Sequence, residues 1–417
     1  MAGFWQALRT GDWLTAARLR AYSVIVLAIG TMAIITWIAL SPHLIDPNGK
    51  PIGTDFSSFY AAGSLVREGR AGDAYNMAVH YAREQQIFGV STPYYGWLYP
   101  PFFLMIAVLL ALMPYAIALA VWQVATLALY LVVIGAIVRE AIKQHNHGSV
   151  AWVLPALAFP AVFINLGHGQ NGFLTAGLFG AALLALPRRP LVAGLLFGLL
   201  AYKPQFALVI PVALLAGREL RAFAAATATV SALVILSTVL FGIDIWPAFA
   251  ASTETSRTLL LEQGDVGFEK LQSVFATIRM WGGSVTTAYV MQTLISLAGI
   301  GVVGWTWHSR AHYAHKAALL VMATLLASPH VLDYDLMLLS VAIAFYATIG
   351  LTRGFLPWDV TVLCALWLVP LVARSVAGWS GVPIGLLTML TAFVVMTRHA
   401  MQDRAAVTVP SRMFAEV

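Results

Sequence analysis

The 417-residue chain is short of charge. Asp, Glu, Lys and Arg make up 10% of it, against about 25% in a soluble domain. With 60% hydrophobic residues and a mean hydropathy of +0.81, such a chain cannot hold itself in water, which excludes a soluble globular domain. It also lacks the alternating strands of about ten residues that build a membrane β-barrel. Its apolar runs are of helical membrane length instead. The single cysteine, Cys364, lies inside an apolar run, so no disulfide framework is possible and the residue reads as core. No Walker A, HExxH or GxSxG pattern occurs, nor any metal-type cysteine set, so soluble nucleotide-sugar chemistry is not indicated. No internal repeat or low-complexity segment is evident. The missing duplication weighs against a transporter. Residues 1–20 are too polar for a leader and lack a small-residue cleavage pattern, so the first span is expected to be a signal anchor.

What remains is an all-α polytopic membrane protein of about 11–13 transmembrane helices. The net charge of +6 sits mostly in short loops and reports topology rather than nucleic-acid binding. Arg9, Arg18 and Arg20 place residues 1–20 in the cytoplasm. A first span is expected at 22–40, and one membrane domain over 21–400. An outer loop at 41–99 carries two amphipathic interfacial helices, and a second outer loop covers 243–283. A cytoplasmic tail follows at 401–417. Phe56, Phe59, Tyr60, Gly63 and Val66 form the apolar side of the first interfacial helix, with Ser57, Ser58 and Ser64 opposite. The second helix, 73–88, has Asp73 as its cap and Met77, Ala78 and Tyr81 as its apolar side. Tyr94, Tyr95, Trp97 and Tyr99 read as an aromatic belt. Further spans are expected at 150–166, 171–187, 191–203, 204–216, 220–242, 285–307, 316–328, 335–351, 359–376 and 381–397. Several are too short to cross alone and must be buried in protein or line a cavity. Two full crossings in 100–138 would put Arg139 and Lys143 outside, so either residues 100–114 dip in and return, or one boundary differs.

Four polar clusters interrupt the apolar chain, and ionisable groups there are functional candidates. Asp55, in Gly53-Thr54-Asp55-Phe56, suits either a helix cap or a general base. A carboxylate near a low-dielectric surface has the raised pKa that such a base can use. His168, Gln170 and Asn171, in a glycine-flanked stretch, can hydrogen-bond a sugar or phosphate, or serve a polar helix junction. Lys203, followed by Gln205, lies between two apolar runs. Its charge calls for a phosphate partner or for snorkelling to the interface. His330, Asp333 and Asp335 do not match a strong metal signature. His330 reads better as a phosphate or sugar contact, and Asp335 also suits a helix start. The loop 243–283 holds an expected interfacial helix from Trp246 to Leu261, either a lid or a plain solvated loop.

In order, Thr54-Asp55-Phe56 with Phe59-Tyr60 and Ala62-Gly63, Ala74-Tyr75, Leu98-Tyr99-Pro100-Pro101, Gly169-Gln170-Asn171, Lys203-Pro204-Gln205 and Ser328-Pro329-His330 with Asp333 resemble glycosyltransferase family 87. This is the polyprenyl-phosphate-sugar-dependent group that contains phosphatidylinositol mannoside mannosyltransferases. The resemblance covers residues 50 to 345 and implies a GT-C bundle in a bacterial-type inner (plasma) membrane, with an extracytoplasmic active site. It also implies a polyprenyl-phosphate sugar donor, a lipid or glycan acceptor and inversion at the anomeric carbon; no cofactor is expected, and because the phosphate is already a good leaving group no metal is required. Asp55 would be the catalytic base, with Lys203 and His330 at the donor phosphate. Tyr60, His168, Gln170, Asn171, Gln205 and Asp333 would meet sugar or acceptor. Leu332-Asp333-Tyr334 departs from the more aromatic motif expected around that acid. Mannose is the sugar by analogy. The rival from another class is a transporter or flippase of a lipid-linked or amphiphilic substrate. A polymerase or ligase of lipid-linked glycans would differ in using a diphosphate donor.

Overall fold

The computed structural model describes residues 2–142 and 152–408. Lys143 and the tail residues 409–417 lie outside the described residues. Among the described residues the chain is helical, with two isolated β-bridges, Ile45–Pro51 and Leu271–Leu332, in place of strands. Seven helices are long and apolar enough to cross a membrane: Ala16–Ala39, Tyr115–Arg139, Leu220–Phe241, Val285–His308, Asp333–Arg353, Asp359–Ser380 and Ile384–Gln402. Five shorter apolar helices accompany them: Pro101–Leu110, Gly172–Ala185, Pro190–Tyr202, Pro204–Ala216 and Tyr313–Ala327. The protein is a multi-pass membrane protein. The short helices need protein around their ends. The structure supplies it most fully to Tyr313–Ala327 and Gly172–Ala185, which lie at the centre of the bundle with nearly every side chain buried. The long outer helices Ala16–Ala39 and Leu220–Phe241 present Ile29, Met32, Ile35, Ile235 and Val239 outward, as a lipid-facing surface should.

The parity problem resolves at Pro114. Leu104–Leu110 rises only about 10 Å at 1.5 Å per residue, a third of a hydrocarbon core. Residues 100–114 therefore enter and return. Tyr115–Ile142 then runs the length of the bundle. Its first residue donates from the Tyr115 hydroxyl to the Ile52 carbonyl at 2.6 Å. Its far end, at Val138, faces the same apolar cavity as Leu14 and Thr15. Arg139 thus lies at the same end as Arg18 and Arg20, opposite Asp55. The Trp358 amide donates to the Arg9 carbonyl at 2.8 Å at that same end. The expected span at 150–166 is broken into Val153–Leu157 and Pro160–His168, because Pro160 cannot continue the preceding ladder.

The two helices of the 41–99 segment differ from their expected placement. Thr54–Arg67 does not lie on a surface with its serines outward. Ser57 and Ser58 are as buried as Phe56 and Phe59. The helix packs so closely on Leu104–Leu110 that a Cβ at Gly63 would sit 2.1 Å from the Ala107 carbonyl oxygen. In Met77–Phe88 the faces are reversed. Met77 and Ala78 are exposed, while His80 and Glu84 are fully buried. The cap is Asn76, whose side chain accepts from the amides of Ala78 and Val79. Asp73 instead pairs with Arg70 at 2.7 Å. Trp97 and Tyr99 are buried around the Phe59 ring together with Phe103 and Trp122. They form the packing core of this end, not a belt.

Candidate active site

At the Asp55 end a cavity of about 580 Å³ opens between the 41–99 segment, the 168–170 turn, the 330–334 turn and the 251–270 loop. That volume is in the range of small-molecule sites. A second cavity of about 590 Å³ lies at the opposite end, lined by Tyr130, Phe159, Trp367 and other mainly apolar residues. It holds none of the polar clusters.

Asp55 occupies the first turn of Thr54–Arg67, but Gly53 is the N-cap and no side chain caps the helix. The cap role considered for Asp55 is therefore absent. Its carboxylate is 24% exposed and lines the cavity. Gln170 Nε2 donates to Asp55 Oδ2 at 3.0 Å. The Gln170 amide is oriented by two donors on its oxygen, the Asn171 amide at 2.8 Å and the Tyr99 hydroxyl at 3.2 Å, so its NH2 must face the acid. On Oδ1, Thr54 Oγ1 lies at 3.4 Å and His168 Nδ1 at 3.6 Å. Thr54 Oγ1 is also 2.7 Å from that same ring nitrogen. Burial pushes the Asp55 carboxyl up, but the His168 ring and the hydrogen bonds of Gln170 and Thr54 outweigh it. The net result is a carboxyl below the ordinary aspartate range, the reverse of the raised value anticipated from its surroundings.

The 168–171 turn is held to the 330–335 turn by Asn165. Its Nδ2 donates to the carbonyls of Ala161 and Tyr334, and its Oδ1 accepts from the Gly172 amide. Gly169 adopts φ +64°, and a Cβ there would meet Phe56 Cβ at 2.5 Å. Glycine is thus required both for the turn and for its approach to the Asp55 helix. Trp122 Nε1 donates to the Gly169 carbonyl at 3.0 Å.

Of the residues singled out in the sequence, Asp55, His168, Gln170, His330 and Asp333 share the cavity wall. Tyr60, Asn171, Lys203 and Gln205 do not line it. The Tyr60 hydroxyl donates to the Met113 carbonyl at 2.9 Å. Asn171 is fully buried at the start of Gly172–Ala185, and Gln205 lies in the short turn Pro204–Phe206. Lys203 is buried beneath the cavity, its Nζ 2.5 Å from Asp335 Oδ1 and about 5.3 Å from the Tyr334 ring centre. Asp335 Oδ2 also accepts from the Leu332 amide, so Asp335 does anchor the start of its helix. The His330 ring lines the cavity, and burial pushes its pKa down. The nearby Asp335 only partly opposes this, and Lys203 adds to it. His330 is therefore neutral near pH 7.

Several wall groups were not assigned to the site from the sequence. Lys50, Lys270 and Arg374 contribute the cations, and Arg374 lies 3.7 Å from Asp333 Oδ2. Tyr95, Tyr99 and Tyr334 contribute rings. Behind the Asp55 helix, His80 and Glu84 answer the buried serines. Ser58 Oγ is 3.3 Å from His80 Nε2, Ser57 Oγ donates to Glu84 Oε1 at 3.4 Å, and the Tyr95 amide donates to Glu84 Oε2 at 3.0 Å. Burial pushes Glu84 up to about 8 and His80 down to about 4. Their 3.8 Å approach is thus a contact between neutral groups near pH 7. The i,i+4 spacing of His80 and Glu84, opposite two adjacent serines, was the signal for this pair. The Ile245–Ser256 helix, continued by a π-helical Arg257–Gln263, roofs the cavity with Ser252, Thr255, Leu259 and Leu260. Among the described residues, no three His, Cys, Asp or Glu side chains converge to hold a metal ion.

A family model, glycosyltransferase family 87, matches residues 97–329, more than half of the chain. No curated protein and no solved structure matches it.

Proposed function

The chain belongs to glycosyltransferase family 87, and from that membership we propose that it transfers a sugar, mannose by family analogy, from a polyprenyl-phosphate donor to a lipid or glycan acceptor. The reaction takes place on the extracytoplasmic side of a bacterial-type plasma membrane, with inversion at the anomeric carbon. Asp55 is the general base. The observation that carries this reading is an ionised carboxylate on a cavity wall, aimed by Gln170 and flanked by His168 and Thr54. A base must be unprotonated before it acts, and these partners keep Asp55 so.

The acceptor hydroxyl gives its proton to Asp55 Oδ1 as its oxygen bonds to the anomeric carbon. The bond from that carbon to the phosphate oxygen breaks on the opposite face. The electron pair leaves with the polyprenyl phosphate. A phosphate monoester is a competent leaving group, so catalysis consists of placing the acceptor and holding the phosphate. His168 and Gln170 keep the carboxylate turned into the cavity. His330, neutral and on the wall, offers a hydrogen bond to sugar or phosphate. Lys203 acts from below, holding Asp335 and with it the 330–335 turn.

Reconstitution in liposomes with radiolabelled polyprenyl-phosphate mannose and a membrane lipid extract tests the reading. Wild type should yield labelled product, and Asp55→Asn should lose at least about a hundredfold in rate while binding donor. An Asp55→Asn protein that is folded and fully active would refute the base assignment. A protein that moves labelled lipid across the bilayer without transferring sugar would refute transfer itself.

A further inference from the structure

A lipid-linked donor brings a negative phosphate into the cavity, and something on the wall must meet it. Two residues singled out in the sequence for that task do not supply the charge. The ammonium of Lys203 is already matched by Asp335 at 2.5 Å and lies off the wall. His330 is on the wall but neutral.

Three basic side chains do face the cavity, from three distant parts of the chain. Lys50 closes the turn in which its amide donates to Asp46 Oδ1 at 2.8 Å. Lys270 ends the short turn Phe268–Lys270. That turn is fixed to the 330–335 turn by the Gln272 amide, which donates to the Val331 carbonyl at 2.7 Å. It also packs on the Asp359–Ser380 helix at Gly378. Arg374 projects from that helix near its Asp55 end. Among the described residues neither lysine has a carboxylate within ion-pair reach, and Arg374 has only the loose 3.7 Å approach of Asp333. Half of the Arg374 side chain is still exposed to the cavity.

The electrostatics agree with this arrangement. Burial depresses the Lys270 pKa, and repulsion from Arg374 and Lys50 depresses it further, against the pull of Glu269 and Asp333. Asp333 and Asp265 share the wall, but the three cations still repel one another, which raises the energy of the empty site. An entering dianion or monoanion relieves that repulsion. Asp333 spans the gap to the base. It pairs with Arg374 on one side and lies within electrostatic reach of His168, the neighbour of Asp55, on the other.

We propose that Arg374, Lys270 and Lys50 form the seat of the donor phosphate, with Asp333 fixing the Arg374 guanidinium. Arg374 presents a planar fork to two phosphate oxygens, and the lysines add point charge. This assignment rests on the transferase reading above. It adds two groups, Lys50 and Arg374, that lie outside the 97–329 stretch matched by the family model. The seat belongs to the fold of this chain at both edges of that stretch.

The test measures binding without turnover. Full-length protein in nanodiscs is titrated with a sugar-free polyprenyl phosphate, with the uncharged polyprenol of the same length, and with inorganic phosphate as competitor. Wild type should prefer the phosphate lipid over the alcohol by about tenfold or more, with affinity falling as salt rises. Arg374→Gln and Lys270→Gln should each remove about tenfold of phosphate-lipid affinity and leave polyprenol binding unchanged, which controls for folding. Arg374→Lys should recover part of the loss. Displacement by millimolar inorganic phosphate alone would overturn a lipid-phosphate seat in favour of a free-phosphate site. If wild type prefers the phosphate lipid but both Gln variants bind it as wild type does, the seat is wrong and the transferase reading stands. If wild type does not distinguish phosphate lipid from alcohol, the donor reading falls with it.

Discussion

Gln170 donates to Asp55 at 3.0 Å across 115 positions of chain, and its own orientation is set by Tyr99 and the Asn171 amide. The acid is thus aimed by a side chain that has no rotational choice. Gln170→Ala should lower kcat about ten- to hundredfold, the value of a hydrogen bond to a charged group of about 1.5–3 kcal/mol. KM for the donor should change little, because in the proposed mechanism Gln170 positions the base rather than the phosphate. Initial rates at saturating donor decide it, and a change confined to KM would contradict the positioning role.

The pH profile follows from the depressed Asp55 carboxyl. In wild type, kcat/KM should show no acidic limb from this group between about pH 5 and pH 7. His168→Gln removes the first of the contributions that oppose burial. Burial should then dominate and an acidic limb should move up into that range. A wild-type limb already present there, or no movement in the variant, would count against the assignment.

Glu84 gives a stability prediction of opposite sign to a usual surface acid. Its folded pKa of about 8 lies above the ordinary 4.5. Between those values the folded state holds a proton that the unfolded chain has released, so stability falls as pH rises. His80, lowered to about 4 from 6.5, costs stability only below its ordinary value, so above pH 6.5 Glu84 acts alongside His168, whose pKa is raised and whose contribution has the same sign. Thermal unfolding in detergent should show wild type losing stability between pH 6.5 and 8, with Glu84 contributing at most about 1.4 kcal/mol per pH unit. Glu84→Gln should lose less than wild type over the same range.

The Lys203–Asp335 pair is buried, and breaking one side leaves the other charge without a partner. Lys203→Met should destabilise by about 3–5 kcal/mol. Adding Asp335→Asn should restore more than half of it, since asparagine keeps an acceptor for the Leu332 amide. Melting temperatures of the two variants make the comparison. A double variant no better than the single would mean that the charge pair is not what Lys203 contributes.

The composition and the order of apolar runs were enough to read a polytopic helical protein, and most span boundaries fall within a few residues of the observed helices. Leu220–Phe241 and Val285–His308 are examples. The rule that short helices must be enclosed also held for Tyr313–Ala327. The faces of Met77–Phe88 were not legible, because hydropathy assigns Met77 and Ala78 inward and His80 and Glu84 outward. That assignment fails when a polar side chain can be satisfied inside, as Ser57, Ser58 and the Tyr95 amide allow. Lys203 was legible as a costly charge in need of a partner, but not as the partner of Asp335, 132 positions away.

Sequence alone determined that Asp55 heads a helix at the mouth of the membrane domain, and that His168, Gln170, His330 and Asp333 belong to the same end. Apolar run length and loop charge fix the end of the bundle at which each loop lies, and both are local properties. Only the tertiary structure decided which of these groups face one cavity. It also decided which cation is consumed by a buried acid, and that Arg374, Lys270 and Lys50 are the ones left facing the cavity. The reason is geometric. Facing is set by how helices rotate and pack against one another, and packing follows side-chain shape such as the Gly63 contact with Ala107. The order of residues along a single chain does not contain that information in readable form.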